Sequence, residues 1–227
     1  MKILALDTST EACTAALWLD GAILERYEYA PQAHARLILP MFDELLAEAG
    51  LALRDLDAIA FGRGPGSFTG VRIGTAVAQG AALAADLPLA PVSTLAALAQ
   101  HAASETGAAA VAVAIDARMG EIYAAHYRLN PAGLCVLEGA ESVCKPATWG
   151  PLSSGPWLGA GTGWATYGAI LAERFGAALS TILPDCLPRA GALARLAAAQ
   201  IARGETVPPE AAEPIYLRDT VTHRRSP

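Results

Sequence analysis

The chain has 227 residues, of which 53% are hydrophobic, and it carries a formal net charge of −6. This length allows a sizeable core in one large domain or two small ones. The acidic balance argues against a general nucleic-acid binder, which is usually basic, and the basic residues concentrate in a last stretch, "THRRSP", that we expect to fray in solvent.

The cysteine pattern and the apolar runs indicate a reduced, non-membrane environment. A zinc ribbon or redox motif needs a CxxC pair, which is absent from the four cysteines Cys13, Cys135, Cys144 and Cys186. The opening stretch "MKILALDTST" is a poor signal peptide because Asp7 interrupts its short apolar run. No window offers the roughly 20 uninterrupted apolar residues of a membrane span. We therefore expect a cytoplasmic protein with free thiols.

The first half of the chain is predicted to run from strands into helices. "KILALDTS" is a buried strand, and "CTAALWLDGAILERYEYA" predicts two more strands around the hairpin turn Asp20-Gly21. "AHARLILPMFDELLAEAGL", residues 33–51, predicts a helix, and Pro40 is expected to bend or restart it. "LDAIAFG" predicts a fourth strand, after which a second helix begins with Ser67 as its N-cap. A short strand, "LPLAPV", and a third helix, "STLAALAQHAASETG", complete this half.

The second half repeats this order. "AAAVAVAID" predicts a buried strand, and "GEIYAAHYRLN" and "GLCVLEGAESV" continue a strand-rich block. Two helices are predicted after "WLGAGTG", at residues 164–175 and 188–203. The repetition predicts two lobes, residues 1–105 and 106–227, with a boundary near residues 104–108.

Six glycines between residues 57 and 80 raise the question of a phosphate-binding loop. A Walker-type loop requires G-x-x-x-x-G-K-[ST], and this stretch contains no lysine. A dinucleotide fingerprint requires G-x-G-x-x-G, whereas Gly62, Gly64 and Gly66 give G-x-G-x-G, although Asp86 lies at about the right distance for a ribose ligand. The alternative is a tight strand-to-helix turn that needs glycine backbones.

Small residues recur every four positions in the second predicted helix, where they form one ridge. Such a ridge lets another helix approach closely. It packs either on the protein's own first helix or, together with that helix, on another chain. For the second case the predicted partner interface comprises His34, Leu37, Met41, Leu45, Gly70, Gly74, Ala78 and Ala82.

Two aspartates follow predicted core strands, in "DTST" and in "DARMGE". A carboxylate at this place is suited to Mg²⁺-phosphate or water, and it is also typical of a turn or a helix cap. The small residues of "GAGTG" could let backbone amides meet a phosphate. Together these residues form a candidate vestigial nucleotide cleft made of Asp7, Thr8, Ser9, Asp116, Gly159, Gly161 and Gly163.

Metal and nucleophile motifs are absent from the sequence. No two of the histidines lie within one helical turn, so H-x-x-x-H and H-E-x-x-H are missing; they are His34, His101, His126 and His223. A G-x-S-x-G elbow for a hydrolytic serine is missing as well. We predict no metal site and no catalytic residues.

Four motifs in this order, "ILALDTST", "GRGPGSFTGVRIG", "DARMGEIY" and "YLRD", resemble the TsaB (YeaZ-like) family along nearly the full chain. The resemblance implies an α/β protein of the actin/Hsp70/sugar-kinase superfold with two related lobes. It also implies a role in forming threonylcarbamoyladenosine on tRNA. In that pathway the family is a noncatalytic partner of the related enzyme TsaD, which modifies the adenosine beside the anticodon.

The resemblance also implies partners and an absent activity. TsaE, an ATPase, joins the pair in a larger complex. Independently of the resemblance, we expect the same helical face to form a homodimer when TsaD is absent, because exposed apolar helix faces seek cover. We also expect tRNA to be contacted only indirectly, because the chain is acidic. TsaD-like enzymes carry an H-x-x-x-H metal motif, whereas Thr94 and Leu98 stand at the matching positions here, and neither replaces an imidazole. No cofactor is therefore expected, and a glycoprotease-like metallopeptidase is disfavoured.

Two enzymatic alternatives remain open at this point. One is an ATPase or phosphotransferase of the same superfold that binds ATP or ADP with Mg²⁺ between Asp7 and Asp116. The other is a dinucleotide-binding oxidoreductase, which the three opening strands disfavour because that fold begins strand–helix–strand.

Overall fold

The computed structural model describes residues 1–218. The stretch "THRRSP", with His223, and the aspartate of "YLRD" lie outside the described residues. None of the helices within residues 1–218 combines the length and hydrophobicity needed to cross a bilayer.

The first half contains five strands and three helices in the predicted order. They are β1 (Lys2–Asp7), β2 (Ala12–Leu19), β3 (Ala22–Tyr29), α1 (His34–Ala49), β4 (Ala58–Gly62), α2 (Phe68–Ala85), β5 (Leu89–Val92) and α3 (Thr94–Thr106). The second half contains β6 (Ala110–Arg118), β7 (Glu121–Leu129), β8 (Cys135–Cys144), β9 (Trp157–Ala160), α4 (Thr162–Phe175), β10 (Leu179–Leu183) and α5 (Ala190–Ala202).

The two halves form two sheets with the same connectivity. The lobe I sheet has the order β3-β2-β1-β4-β5, and the lobe II sheet has the matching order β8-β7-β6-β9-β10. In each sheet the second strand is antiparallel to its neighbours, and the fourth and fifth strands run parallel to the first. The prediction of two related α/β lobes is confirmed.

Strand β1 is apolar between Lys2 and Asp7 because both faces of its sheet are covered. Leu4 and Leu6 pack in a core with residues of α1 and α2. Ile3 and Ala5 point the other way, into a core with residues of α5. A strand buried on both faces is a continuous hydrophobic run rather than an alternation, which is the pattern of "KILALD".

The last helix of each half covers the sheet of the other half. Leu95 and Leu98 of α3 pack with Val111 in the core of lobe II, and Leu193 of α5 packs with Ile3 in lobe I. The domain boundary between residues 105 and 106 stays a prediction. Helices α3 and α5 each pack on the lobe at the other side of this boundary. The physical reason is that each apolar sheet face needs a helical layer, and α1 and α2 occupy only one face of the lobe I sheet.

Three local predictions need correction. Helix α1 runs without interruption through Pro40; this proline is exposed, so the carbonyl that loses its helical partner can be hydrated. Helix α4 begins at Thr162, two residues before the predicted start. Strand β10 was not predicted, because it is short, at the sheet edge, and has three exposed residues among its five.

His126 of β7 lies in an aromatic cluster in lobe II. Its ring stacks on Trp149 with a centroid distance of 4.8 Å and lies 5.4 Å from the ring of Trp157. Its Nε2 atom has no hydrogen-bond partner among residues 1–218. Burial lowers the pKa of this imidazole below its ordinary value of 6.5, because the surroundings disfavour the charged form.

We expect this histidine to make folding stability depend on pH. The unfolded chain takes up the proton near pH 6.5 and the folded protein only at lower pH, so stability is full above the unfolded pKa and decreases as the pH falls through it. Urea unfolding at about pH 7.5 and about pH 5.5 should show a smaller pH-dependent loss for His126→Phe than for the wild type. His101→Asn is the control, because burial also lowers the pKa of His101. If His126→Phe loses as much stability between the two pH values as the wild type does, His126 is not the source of the pH dependence.

Candidate functional site

A cleft of about 510 Å³ lies between the two lobes. We call it the interlobe cleft. Lobe I contributes the turn after β1, the segment before α1, the first residue of α1 (His34) and the start of α2. Lobe II contributes the end of β6 and Tyr123 of β7. Tyr216 and Arg218 of the C-terminal segment complete the lining.

Asp7 ends β1 as predicted, but its carboxylate is sealed beneath the cleft. It is 1% exposed and accepts hydrogen bonds from the Ser9 amide at 2.8 Å, from the Ser9 hydroxyl, and from the Thr94 hydroxyl at 3.0 Å. Burial raises the pKa of Asp7 above its ordinary value, and the hydrogen bonds from Ser9 and Thr94 oppose that rise. This carboxylate acts as a structural acceptor that joins the turn to α3.

The glycines of the loop after β4 allow that loop and α2 to contact the turn after β1. The Thr8 hydroxyl donates to the Gly70 carbonyl at 2.7 Å. A Cβ on Gly70 would overlap with the Thr8 carbonyl oxygen, and one on Gly66 would overlap with the Ser9 carbonyl oxygen. The prediction that the early glycines shape a tight turn is confirmed, since their role is close packing of backbone.

The small-residue ridge of α2 faces the inside of its own lobe. A Cβ on Gly74 would lie 2.8 Å from the Thr8 hydroxyl oxygen, and Ala78 and Ala82 belong to the core that contains Leu6. These residues are buried inside lobe I, which corrects the expectation that they lie on an exposed docking face. The alternative, packing on the protein's own first helix, is met only in part, because the ridge glycines pack on the turn after β1 and α2 as a whole lies chiefly on β4.

The residues predicted on α1 also face inward. His34, Met41 and Leu45 are buried, and Leu37 is half-buried. The side chains of Leu37, Met41 and Leu45 pack in the lobe I core, because the stripe at this spacing is the apolar face that a helix presents to its own core. His34 lines the interlobe cleft instead. The residues predicted to form the interface on α1 and α2 therefore lie on the inner faces of these helices or in the interlobe cleft.

Asp116 lies in the wall of the interlobe cleft, and its carboxylate already accepts hydrogen bonds from other residues of the chain. It accepts from the Arg118 amide at 2.8 Å, the Arg118 guanidinium at 2.9 Å and the Tyr167 hydroxyl at 3.3 Å. The same guanidinium reaches Glu11 of lobe I at 3.3 Å. Because the Arg118 side chain is largely exposed, this bridge between the lobes contributes little stability.

The "GAGTG" glycines do not reach the cleft. A Cβ on Gly159 would lie 2.8 Å from the Trp164 indole, and one on Gly163 would lie 2.9 Å from Ala114 of β6. Gly161 likewise approaches the Ala114 carbonyl and has a positive φ of 108°. These residues permit α4 to pack closely on β6. Of the predicted nucleotide-cleft residues, the structure brings only Ser9 and Asp116 together in the interlobe cleft.

Thr94 and Leu98, which the resemblance places where TsaD-like enzymes have metal-binding histidines, both make contacts inside the protein. The Thr94 hydroxyl is bound to Asp7, and Leu98 is fully buried in the core of lobe II. Within residues 1–218, no group of three or more His, Cys, Asp or Glu side chains is arranged to hold a metal ion.

An apolar groove of about 520 Å³ runs between the outer faces of α1 and α2. We call it the α1–α2 groove. Leu39 at its edge is 52% exposed, and Leu83 on the outer side of α2 is 64% exposed. Its lining comprises Leu39, Phe42, Asp43, Leu46, Leu53, Ala76, Val77, Gly80 and Ala81. The sequence predictions did not identify this groove. The signal that could have found it is that both helices carry apolar residues on more than one face.

Comparisons with known proteins agree with this architecture. The family model described as "TsaD: tRNA N6-adenosine threonylcarbamoyltransferase" matches residues 27–224. The tRNA threonylcarbamoyladenosine biosynthesis protein TsaB of Escherichia coli is 44% identical over 100% of this chain and 99% of its own. The chain belongs to the TsaB (YeaZ-like) family. The TsaB protein of Haemophilus influenzae is 41% identical over 100% of this chain and 98% of its own.

Solved structures extend the match to the fold. YeaZ from Pseudomonas aeruginosa is 49% identical, with a TM-score of 0.89 over 95% of this chain and 99% of that one. A second structure from the same species, titled as similar to peptidase YEAZ, has the same identity and TM-score and covers 96% of this chain and 99% of that one. The two-lobed fold of this TsaB-family chain is therefore the actin/sugar-kinase type, as predicted.

Proposed function

We propose that this chain is a cytoplasmic, noncatalytic partner and activator of a TsaD enzyme in forming threonylcarbamoyladenosine on the tRNA adenosine beside the anticodon. Support for the pathway comes from the relatives, whose names place them in tRNA threonylcarbamoyladenosine biosynthesis. The family model that matches most of the chain is named for the threonylcarbamoyltransferase itself.

The observation that carries the partner role is the α1–α2 groove. Among its aliphatic lining residues Leu39 is exposed and Leu46, Leu53 and Val77 are half-buried, and Asp43 is the only charged residue among those that line it. Exposed apolar patches of this kind mark protein interaction sites. In our proposal TsaD binds in this groove, and a second copy of the chain covers it when TsaD is absent. TsaE joins the pair of this chain and TsaD. The tRNA contacts TsaD and not this chain.

The noncatalytic part of the proposal is supported by Asp7 and Asp116, whose carboxylates already accept hydrogen bonds from other residues of the chain. Asp7 accepts three hydrogen bonds from its own chain and is closed to solvent. Asp116 is held by Arg118 and Tyr167. One structural neighbour is described as similar to a peptidase. The described residues 1–218 contain no group of side chains arranged to hold the metal ion of a metallopeptidase.

Reconstitution of the tRNA modification tests this function. Purified TsaD, TsaE and tRNA are supplied with the threonylcarbamoyl donor, and threonylcarbamoyladenosine is measured with and without this chain. We expect the rate to fall by at least about a hundredfold without it, the loss that follows when roughly 2.7 kcal/mol of stabilisation of the active state is removed. Full activity without the chain would refute the activator role.

Calorimetry separates this proposal from a Mg²⁺-dependent ATPase or phosphotransferase. The isolated chain titrated with ATP and Mg²⁺ is expected to show no micromolar binding. The reason is that the Asp7 carboxylate is sealed and its neighbouring hydroxyls are bound to it. Micromolar binding that disappears in Asp7→Ala would contradict the noncatalytic assignment.

A further inference from the structure

We infer that residues 213–218, which we call the C-terminal strap, form a releasable lid on the interlobe cleft. The strap crosses from lobe I to lobe II and places Tyr216 and Arg218 in the cleft lining. Its attachment to lobe II opens while both lobes stay folded, and the cleft is then wider on the side of the turn between β6 and β7. This inference concerns the chain alone and does not rest on the proposed partner role.

The chain before the strap is fixed to lobe I. Val207 and Leu89 of β5 exchange backbone hydrogen bonds at 2.9 and 2.8 Å. The side-chain amide of Gln79 on α2 donates to the carbonyls of Pro209 and Ala212 at 3.1 and 3.0 Å. Ala212 is itself buried in the lobe I core. The strap therefore starts from a point that does not move unless the core of lobe I opens.

The first part of the strap lies on the surface of lobe I. The Ile215 amide donates to the Arg63 carbonyl at 2.8 Å. The Tyr216 ring has its centroid 5.8 Å from that of Phe68, and its hydroxyl accepts from the Arg72 guanidinium at 2.9 Å. Tyr216 and Phe68 are both about half-exposed. Solvent therefore reaches this attachment, which combines a backbone hydrogen bond with side-chain contacts.

Arg218 makes the attachment to lobe II. Its guanidinium donates to the Ala117 carbonyl at 3.1 Å and pairs with the Glu121 carboxylate. It also lies 3.5 Å from the Met119 sulfur. These three partners lie at the turn between β6 and β7. Within residues 1–218, every hydrogen bond from the strap to lobe II comes from this one side chain.

The lobe II end is the weaker attachment of the strap. The side chains of Arg218 and Glu121 are 20% and 32% exposed, and an ion pair that water reaches adds little stability. Segments held by few buried contacts open locally at a lower free energy than the core. The lobes stay together when the strap opens, because α3 and α5 each pack on the sheet of the other half. Release of Arg218 is therefore a local event that removes part of the cleft wall.

Hydrogen–deuterium exchange of the full chain, read by mass spectrometry, tests the release. In Arg218→Ala the strap should exchange at least about fivefold faster, because an ion pair and a hydrogen bond to a carbonyl are lost. Peptides from β1 and from residues 205–212 should exchange as in the wild type. Unchanged exchange of the strap, or equal acceleration in β1, would overturn the inference.

Arg203→Ala is the matched control for this variant. Its guanidinium pairs with Glu205, two positions away in the same C-terminal region, and among the described residues it makes no hydrogen bond to lobe II. We expect strap exchange in Arg203→Ala to equal that of the wild type. Acceleration as large as in Arg218→Ala would mean that loss of any nearby charge loosens the strap, and the assignment to Arg218 would be wrong.

A thiol in the cleft tests whether the strap covers it. Tyr123 lines the cleft and is half-buried, so alkylation of Tyr123→Cys, followed by mass spectrometry of its own peptide, reports access. Adding Arg218→Ala should raise this rate at least about threefold. The native thiol of Cys144, half-buried and outside the cleft lining, should react at an unchanged rate. If the rate at position 123 does not rise, the strap is not a lid on the cleft.

Discussion

Gly70→Ala is expected to destabilise the protein by roughly 3 kcal/mol, a magnitude typical of overpacking a rigid core. The new methyl group would overlap with the Thr8 carbonyl oxygen and lie close to the Ser67 hydroxyl. The Thr8 hydroxyl is bound to the Gly70 carbonyl at 2.7 Å, and the neighbouring Asp7 is itself anchored to α3. The turn therefore cannot move away without breaking hydrogen bonds inside the protein.

Gly80→Ala in the same helix is the matched control. A Cβ at this position meets nothing within 4 Å, so the change should stabilise the helix by up to about 1 kcal/mol through the higher helix propensity of alanine. Urea unfolding followed by circular dichroism measures both variants. Equal stability of the two would show that the turn after β1 yields freely, contrary to the packing described above. Gly74→Arg would, by the same reasoning, unfold the protein and reveal nothing about a partner.

Leu39→Asp is expected to weaken binding to TsaD about a hundredfold, or roughly 2.7 kcal/mol. Leu39 lies at the edge of the α1–α2 groove with half of its side chain exposed. A carboxylate there would have to lose its water against an apolar partner. Because the side chain is not in the core, the free energy of unfolding of the isolated chain should change by less than about 0.5 kcal/mol. Co-purification and calorimetry with TsaD measure the effect.

Ile170→Asp on α4 is the matched control for this variant. Ile170 is an exposed aliphatic residue on a helix of lobe II, 43% exposed, and lies outside the groove. We expect it to bind TsaD like the wild type. Loss of binding in Ile170→Asp with retention in Leu39→Asp would move the interface to lobe II. If the chain alone is a homodimer through the groove, Leu39→Asp should also make it monomeric.

Local patterns were sufficient for the order of the elements. The hairpin at Asp20-Gly21 is confirmed, with Leu19 paired to Ala22 and both turn residues at positive φ. Ser67 caps α2 by accepting from the Gly70 amide at 3.1 Å. Such features depend on a few neighbouring residues, whose conformational preferences are visible in the chain itself.

Local patterns were not sufficient to orient α2. Its small residues form one ridge, and its other faces carry Val77, Ala81 and Leu83, so the helix is apolar on more than one side. Hydrophobicity alone cannot say which side is covered. The side that meets the sheet is the one with glycines, because the turn after β1 needs their space.

The sequence by itself determined the two repeated halves, the family motifs, the glycine turn and the absence of a histidine pair beside Thr94. Only the tertiary structure decided that Asp7 is closed to solvent and that the α1–α2 groove faces solvent. It also decided that α3 packs on the sheet of the second half and α5 on the sheet of the first. The physical reason is range. Turns, caps and periodicity arise from interactions between near neighbours, whereas burial and exposure depend on which distant segment fills the space beside a residue.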